Sequence, residues 1–193
     1  MKSITVFCGS SFGSQDIYRQ QATLLGKTLA QQSIQLIYGG ANVGLMGAVA
    51  DAALQEGGKA VGILPHFLQS KEIAHPHLTE LILVETMHER KTKMNDLCDG
   101  VIVLPGGYGT LEEFFEMITW AQLGLHKKPI AILNIDGFYD DLIKLIQTMV
   151  DKGFLKQMNQ DMLLVSDSID ELLEKMKNYQ APTVGKWISK EET

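Results

Sequence analysis

The chain has 193 residues, 45% of them hydrophobic, enough for one globular domain with a continuous core and no need of a second. Lysine and arginine number 17 against 23 acidic residues, and the net charge of -6 opposes the long-range attraction that a nucleic acid polymer or an anionic membrane requires. Cys8 and Cys98 do not make a disulfide framework, no apolar stretch approaches the ~20 residues of a membrane span, and Met1-Lys2-Ser3 leads straight into a strand-like run, so a cytoplasmic location is expected.

In chain order, the hydrophobic pattern predicts a strand at 4–8, a helix at 15–32, a strand at 34–38 and a helix at 45–56. Strands follow at 59–64 and 80–84, then a helix at 87–97, a strand at 100–104 and a helix at 111–124. The series closes with a strand at 130–134, a helix at 139–152, a strand at 162–165 and a helix at 169–179. Alternation of short β-branched runs with longer amphipathic ones is the signature of an α/β fold, here a Rossmann-like doubly wound, mainly parallel sheet with helices on both faces. Segment 100–104 is apolar throughout, as a strand covered on both faces should be. Residues 1–180 are expected to form the single domain and 181–193 a frayed tail. The segment 65–79 has no clear period, carries His66, His75 and His77, and reads as a loop over the ligand crevice.

That crevice is expected beyond the carboxyl ends of the strands, where strand order reverses. Three glycine-rich turns collect there: Cys8-Gly9-Ser10-Ser11, Gly39-Gly40 through Gly44-Leu45-Met46-Gly47, and Pro105-Gly106-Gly107-Tyr108-Gly109-Thr110. In the third, Gly106, Gly107 and Gly109 leave backbone N–H groups uncovered where a helix begins, which makes an anion site with the Thr110 hydroxyl as an added donor. The competing reading is a tight turn whose glycines only relieve strain. No Gly-Lys-Ser or Gly-Lys-Thr exists for a Walker loop, and Glu112 stands where the dinucleotide fingerprint needs its third glycine, so a monophosphate is the better ligand.

Glu113, three residues after Thr110, is open to two readings. It completes a capping box with Thr110, or it faces a sugar and stabilises positive charge at the anomeric carbon. Thr86 and Glu89 have the same capping spacing and mark a helix start; Arg90 then shares a face with Met87, Met94 and Leu97. A guanidinium on such a face needs an anion, either a structural glutamate or a substrate. Lys91 is a site residue or a solvated charge. His75-Pro76-His77 is the only close histidine pair and no zinc spacing completes it, so neither metal nor cofactor is expected. Nothing flags a base for Cys8 as a nucleophile. Ser10, Gly40 and Met46 are candidates for contacts to a base or ribose.

Gly39-Gly40 with Gly44-Leu45-Met46-Gly47, Met87-His88-Glu89-Arg90-Lys91, and Pro105-Gly106-Gly107-Tyr108-Gly109-Thr110-Leu111-Glu112-Glu113 resemble the LOG (Lonely Guy) family of cytokinin riboside 5'-monophosphate phosphoribohydrolases. The resemblance implies release of an adenine-type base and ribose 5-phosphate from a nucleoside 5'-monophosphate, in a homodimer. It places substrate contacts at Glu72, Arg90, Lys91, Gly107 to Glu113 (with Tyr108, Leu111 and Glu112 between) and Thr119, with Arg90 and Glu113 as the catalytic pair. His88-Glu89 stands where plant members are expected to carry His-Gln. Members have often been labelled lysine decarboxylases. Molybdenum cofactor carrier proteins, which share a similar fold and phosphate loop, supply the alternative of binding without hydrolysis. The wide apolar stripe of Leu111, Phe114, Phe115, Ile118 and Leu125, beside the helix carrying Arg90, is the expected dimer surface.

Overall fold

The computed structural model describes residues 1–69 and 74–182. Its seven strands are β1 (Ser3–Phe7), β2 (Gln35–Tyr38), β3 (Ala60–Pro65), β4 (Glu80–Val84), β5 (Gly100–Val103), β6 (Ile130–Leu133) and β7 (Leu163–Ser166). The helices are α1 (Asp16–Gln31), α2 (Gly44–Gln55), α3 (Met87–Leu97), α4 (Tyr108–Gln122), α5 (Asp140–Asp151), the short α6 (Gln157–Gln160) and α7 (Ile169–Asn178). Every predicted strand and helix exists; α6 and two 3-10 turns at His66–Leu68 and Ile135–Gly137 are additional.

All strand pairs are parallel and the order is β4-β3-β2-β1-β5-β6-β7. The chain winds outward from β1 to β4, returns through α3 to β5 beside β1, and winds outward again, so the topological switch lies between β1 and β5. Both sheet faces are buried, with the period of two that strands impose. Ile4, Val6, Ile102 and Leu104 pack with α1, α2 and α7 on one face. Phe7, Val101 and Val103 pack with Met94 of α3 and Phe114 and Met117 of α4 on the other. The hydroxyl of Thr5, buried in β1, donates to Met94 O at 3.1 Å, so it is satisfied while it ties α3 to the central strand.

The expected tail lies outside the described residues apart from Ala181 and Pro182. Within segment 65–79 the described residues include a 3-10 turn at His66–Leu68, an antiparallel bridge from Ala74 to Ala41, and His75 buried.

Candidate active site

The ends of β1, β2 and β5 are fastened together by backbone hydrogen bonds. Gly9 N donates to Pro105 O at 3.0 Å and Leu45 N donates to Gly9 O at 3.1 Å, which joins the first turn to both of the others. Tyr139, just before α5, donates from its hydroxyl to Leu104 O at 2.8 Å and secures the carboxyl end of β5. The three glycine-rich turns therefore share one crevice.

α4 begins at Tyr108 with Gly107 as its N-cap, one turn earlier than the predicted start at 111. The capping box between Thr110 and Glu113 is accordingly not formed, since Thr110 is already the third helical residue and no side chain caps the helix. The amides of Tyr108, Gly109 and Thr110 belong to the first turn and have no acceptor within the helix, whereas Leu111 N reaches Gly107 O at 3.1 Å. Gly106 packs closely on Thr110 and Gly9, and Thr110 is buried with its hydroxyl beside Gly106. Gly107 and Gly109 differ from Gly106. Neither has a positive φ, and a Cβ on either would meet no atom within 4 Å. Their lack of a side chain is required by nothing in the chain itself; it keeps the space before the helix amides open.

Glu113 follows Gly109 by four residues and so stands one turn above it on the same face of α4. Its carboxylate also acts on Cys8: burial, reinforced by Glu113, pushes the thiol far above its ordinary range, which keeps it protonated and places Glu113 near the end of β1. Cys8 is thus poorly suited to be a nucleophile. Leu111 is half buried against the core on the helix side facing the sheet, while Tyr108 is 95% exposed at the helix start.

On the opposite side of the crevice, Thr86 caps α3 by accepting from Glu89 N at 3.0 Å, as its spacing predicted. Arg90, 5% exposed, donates from Nη2 to Gly39 O at 3.1 Å and contacts Met87 Sδ at 3.8 Å through Nη1. Its Nε is buried with no hydrogen-bond partner among the described residues. A structural glutamate bridge is therefore not what these residues provide. Met46 is buried beside Gly39, Gly40 lies at φ 84°, and Ser10 is exposed at the lip of the first turn.

Lys91 is not a solvated charge. Its ammonium lies 2.9 Å from Glu116 Oε2 and hydrogen-bonds Glu112 Oε1, which clamps α3 to α4. Burial works to lower the Lys91 pKa, but Glu112 and Glu116 together outweigh it and the net direction is upward. Thr119 is exposed, nine residues beyond Thr110 and so about 13 Å along the helix axis from the open amides. Glu72 lies outside the described residues. No group of three or more metal-binding side chains forms among the described residues, and no helix there is long and apolar enough to cross a membrane. The sequence reading missed Glu116 and Tyr139. The first lay four residues after Glu112, a helix spacing that puts both carboxylates on one face. The second carried no local signal, because its acceptor is the carbonyl of a strand far away in sequence.

The family model described as possible lysine decarboxylase matches residues 46–176. A probable cytokinin riboside 5'-monophosphate phosphoribohydrolase, LOGL2 of Oryza sativa subsp. japonica, is 42% identical over 98% of this chain and 77% of its own length. The cytokinin riboside 5'-monophosphate phosphoribohydrolase LOG5 of Arabidopsis thaliana is 44% identical over 93% of this chain and 78% of its own. Among solved structures, the molybdenum cofactor binding protein of Rippkaea orientalis has the same fold, with a TM-score of 0.68 at 22% identity over 92% of this chain and 96% of its own.

Proposed function

Because the chain belongs to the LOG family of cytokinin riboside 5'-monophosphate phosphoribohydrolases, we propose that it hydrolyses the N-glycosidic bond of adenosine 5'-monophosphates, including N6-modified ones, to free base and ribose 5-phosphate. The observation that carries this reading to particular residues is the pair Gly107 and Gly109, whose missing side chains serve neither backbone conformation nor packing. A 5'-phosphate fills that space, accepting from the first amides of α4 and favoured by the positive end of the helix.

With the phosphate there, the ribose extends toward Glu113. Cleavage of an N-glycoside passes through an oxocarbenium-like sugar, and a carboxylate one turn above the phosphate stabilises that charge. In the same step Glu113 accepts a proton from water, whose oxygen bonds to the anomeric carbon as the C–N bond breaks and its electron pair leaves with the base. The leaving base takes a proton from solvent, and Glu113 gives up the proton it took from water, which restores the carboxylate. Phosphate binding fixes the reacting carbon against Glu113 and lets remote binding energy lower the barrier. Arg90, with Nε unsatisfied at the crevice, orients a substrate oxygen or the Glu113 carboxylate. Lys91 positions α4 through Glu112 and Glu116; an ammonium held charged in this way is the reverse of what a Schiff base with pyridoxal phosphate requires, which favours hydrolysis over lysine decarboxylation.

The chain is inferred to work as a cytoplasmic homodimer. Met94 and Phe114 are absorbed by the protomer's own core, but Met87, Leu97 and Phe115 each remain more than a third exposed on α3 and α4, a surface suited to an isologous helix pairing. Sedimentation at micromolar concentration tests it, and an active monomer refutes it.

Incubating the protein with AMP and with N6-isopentenyl AMP, and separating the products, tests the reaction. Free base and ribose 5-phosphate in equal amounts are expected. Nucleotide retained intact on the protein is instead the result for a carrier, the second reading, which the fold shared with the molybdenum cofactor binding protein keeps in view.

A further inference from the structure

We propose that His75 and Asp51 form a latch that positions the turn after β2, and through it the Arg90 guanidinium, for the hydrolysis proposed above, on which reading the inference rests. His75 belongs to neither helix nor strand, yet its side chain is only 1% exposed. Nε2 lies 3.0 Å from Asp51 Oδ1 on α2, and Nδ1 accepts from His77 N at 3.2 Å. Acceptance at Nδ1 puts the ring proton on Nε2, where it is donated to the carboxylate. A leucine would fill the same space without a partner; the imidazole adds a directional link between α2 and the loop.

The loop end held in this way touches the active turn directly. His75 N donates to Gly40 O at 2.9 Å, and Ala74 bridges to Ala41. One residue earlier, Gly39 O is the oxygen that accepts from Arg90 Nη2, and the guanidinium lies so close to Gly39 that a Cβ there would overlap it. The contacts therefore run without a gap from Asp51 through His75, Gly40 and Gly39 to Arg90. Since Gly39 O is the only oxygen partner Arg90 has among the described residues, a shift of this turn re-aims a buried guanidinium. His75 and Asp51 are positioning residues, because neither needs to touch substrate.

Turnover of AMP, KM and melting temperature are measured for the full chain and for His75→Ala, Asp51→Ala, Asp51→Asn and the double variant His75→Ala/Asp51→Ala. Each alanine variant is expected to lower kcat about tenfold with KM changed less than about twofold, and the double variant to be no slower than the slower single one. Asp51→Asn, whose amide oxygen still accepts from Nε2–H, is expected to restore kcat to within about threefold of wild type. The Asp51 side chain is 54% exposed, so Asp51→Ala keeps the fold even if His75→Ala does not. Wild-type kcat in Asp51→Ala, or losses that multiply in the double variant, would overturn the latch. The latch is also read apart from catalysis, by 15N NMR of the His75 ring: the Nε2–H tautomer is expected, and an Nδ1–H tautomer refutes it. A wild-type protein that releases no base while showing the Nε2–H tautomer refutes the hydrolase reading, and with it the catalytic purpose of the latch, but leaves the linkage itself standing.

Discussion

The turns after β2 and β5 both open a helix with glycines at the carboxyl end of a strand, and they use those glycines in opposite ways. After β2 the glycines are consumed by the protein. Gly44 has φ 56° and its missing Cβ makes room for the backbone of Ser10 and Ser11, while Gly39 makes room for Arg90. After β5, Gly107 and Gly109 have ordinary φ and empty space before them. Glycine density in a sequence thus marks close approach, but only the structure says whether what approaches is the chain or something that must come from outside. The turn after β2 holds Arg90, and the turn after β5 is the one proposed to receive an anion.

The largest effect expected concerns the group above the open turn. Glu113→Gln removes the negative charge with little change of shape, and kcat should fall about 1,000-fold while nucleotide binding, followed by calorimetry, is retained. Near-normal turnover would leave Glu113 without a chemical role.

Next comes a direct contrast of the two turns. Gly109→Ala adds a methyl where no protein atom lies, so the melting temperature should hold or rise, the helix gaining about 0.5 kcal/mol, while kcat/KM for AMP falls about 100-fold because the methyl occupies the phosphate's place. Gly44→Ala should do the reverse in stability, costing about 3 kcal/mol, because a left-handed residue must carry a Cβ against the Ser10 backbone. If both variants lose stability alike, the distinction between the turns is wrong.

Much of this was legible in the sequence. The strands are buried on both faces and read as apolar runs, so their number, their parallel direction and the crevice at their ends follow from pattern alone. The capping of α3 by Thr86 was legible as well, because it is a contact three residues long. What pattern could not carry was contact at long range. Lys91 reads equally as a solvated charge until Glu112 and Glu116 are seen around it. His75 was visible as half of a histidine pair, but its partner Asp51 lies 24 residues away on another element. The start of α4 was misplaced because glycines are poor helix formers, and Tyr108-Gly109 enters the helix against that propensity to bring its amides to the crevice.

A smaller effect separates the clamp between α3 and α4 from the turns it supports. Lys91→Met keeps the apolar stem but leaves Glu112 and Glu116 facing each other, and should cost about 2 kcal/mol. The Lys91 pKa is raised in the folded protein, so its contribution is complete below the ordinary lysine value and is lost only as pH rises through the higher folded one. The difference in melting temperature between wild type and Lys91→Met should therefore stay constant from about pH 6 to about pH 9. A difference that fades within that range would mean that Lys91 is not held as an ammonium by its two carboxylates.

The central claim is that the anion cradle proposed at Gly107 and Gly109 governs glycoside cleavage one turn above it. Its most direct test compares kcat/KM for AMP and for adenosine, which differ only in the phosphate the cradle is built to hold. The account predicts that AMP is cleaved at least about 100-fold more efficiently, because the nucleoside leaves the α4 amides unfilled and its ribose unanchored. Equal efficiency on the two substrates would contradict it.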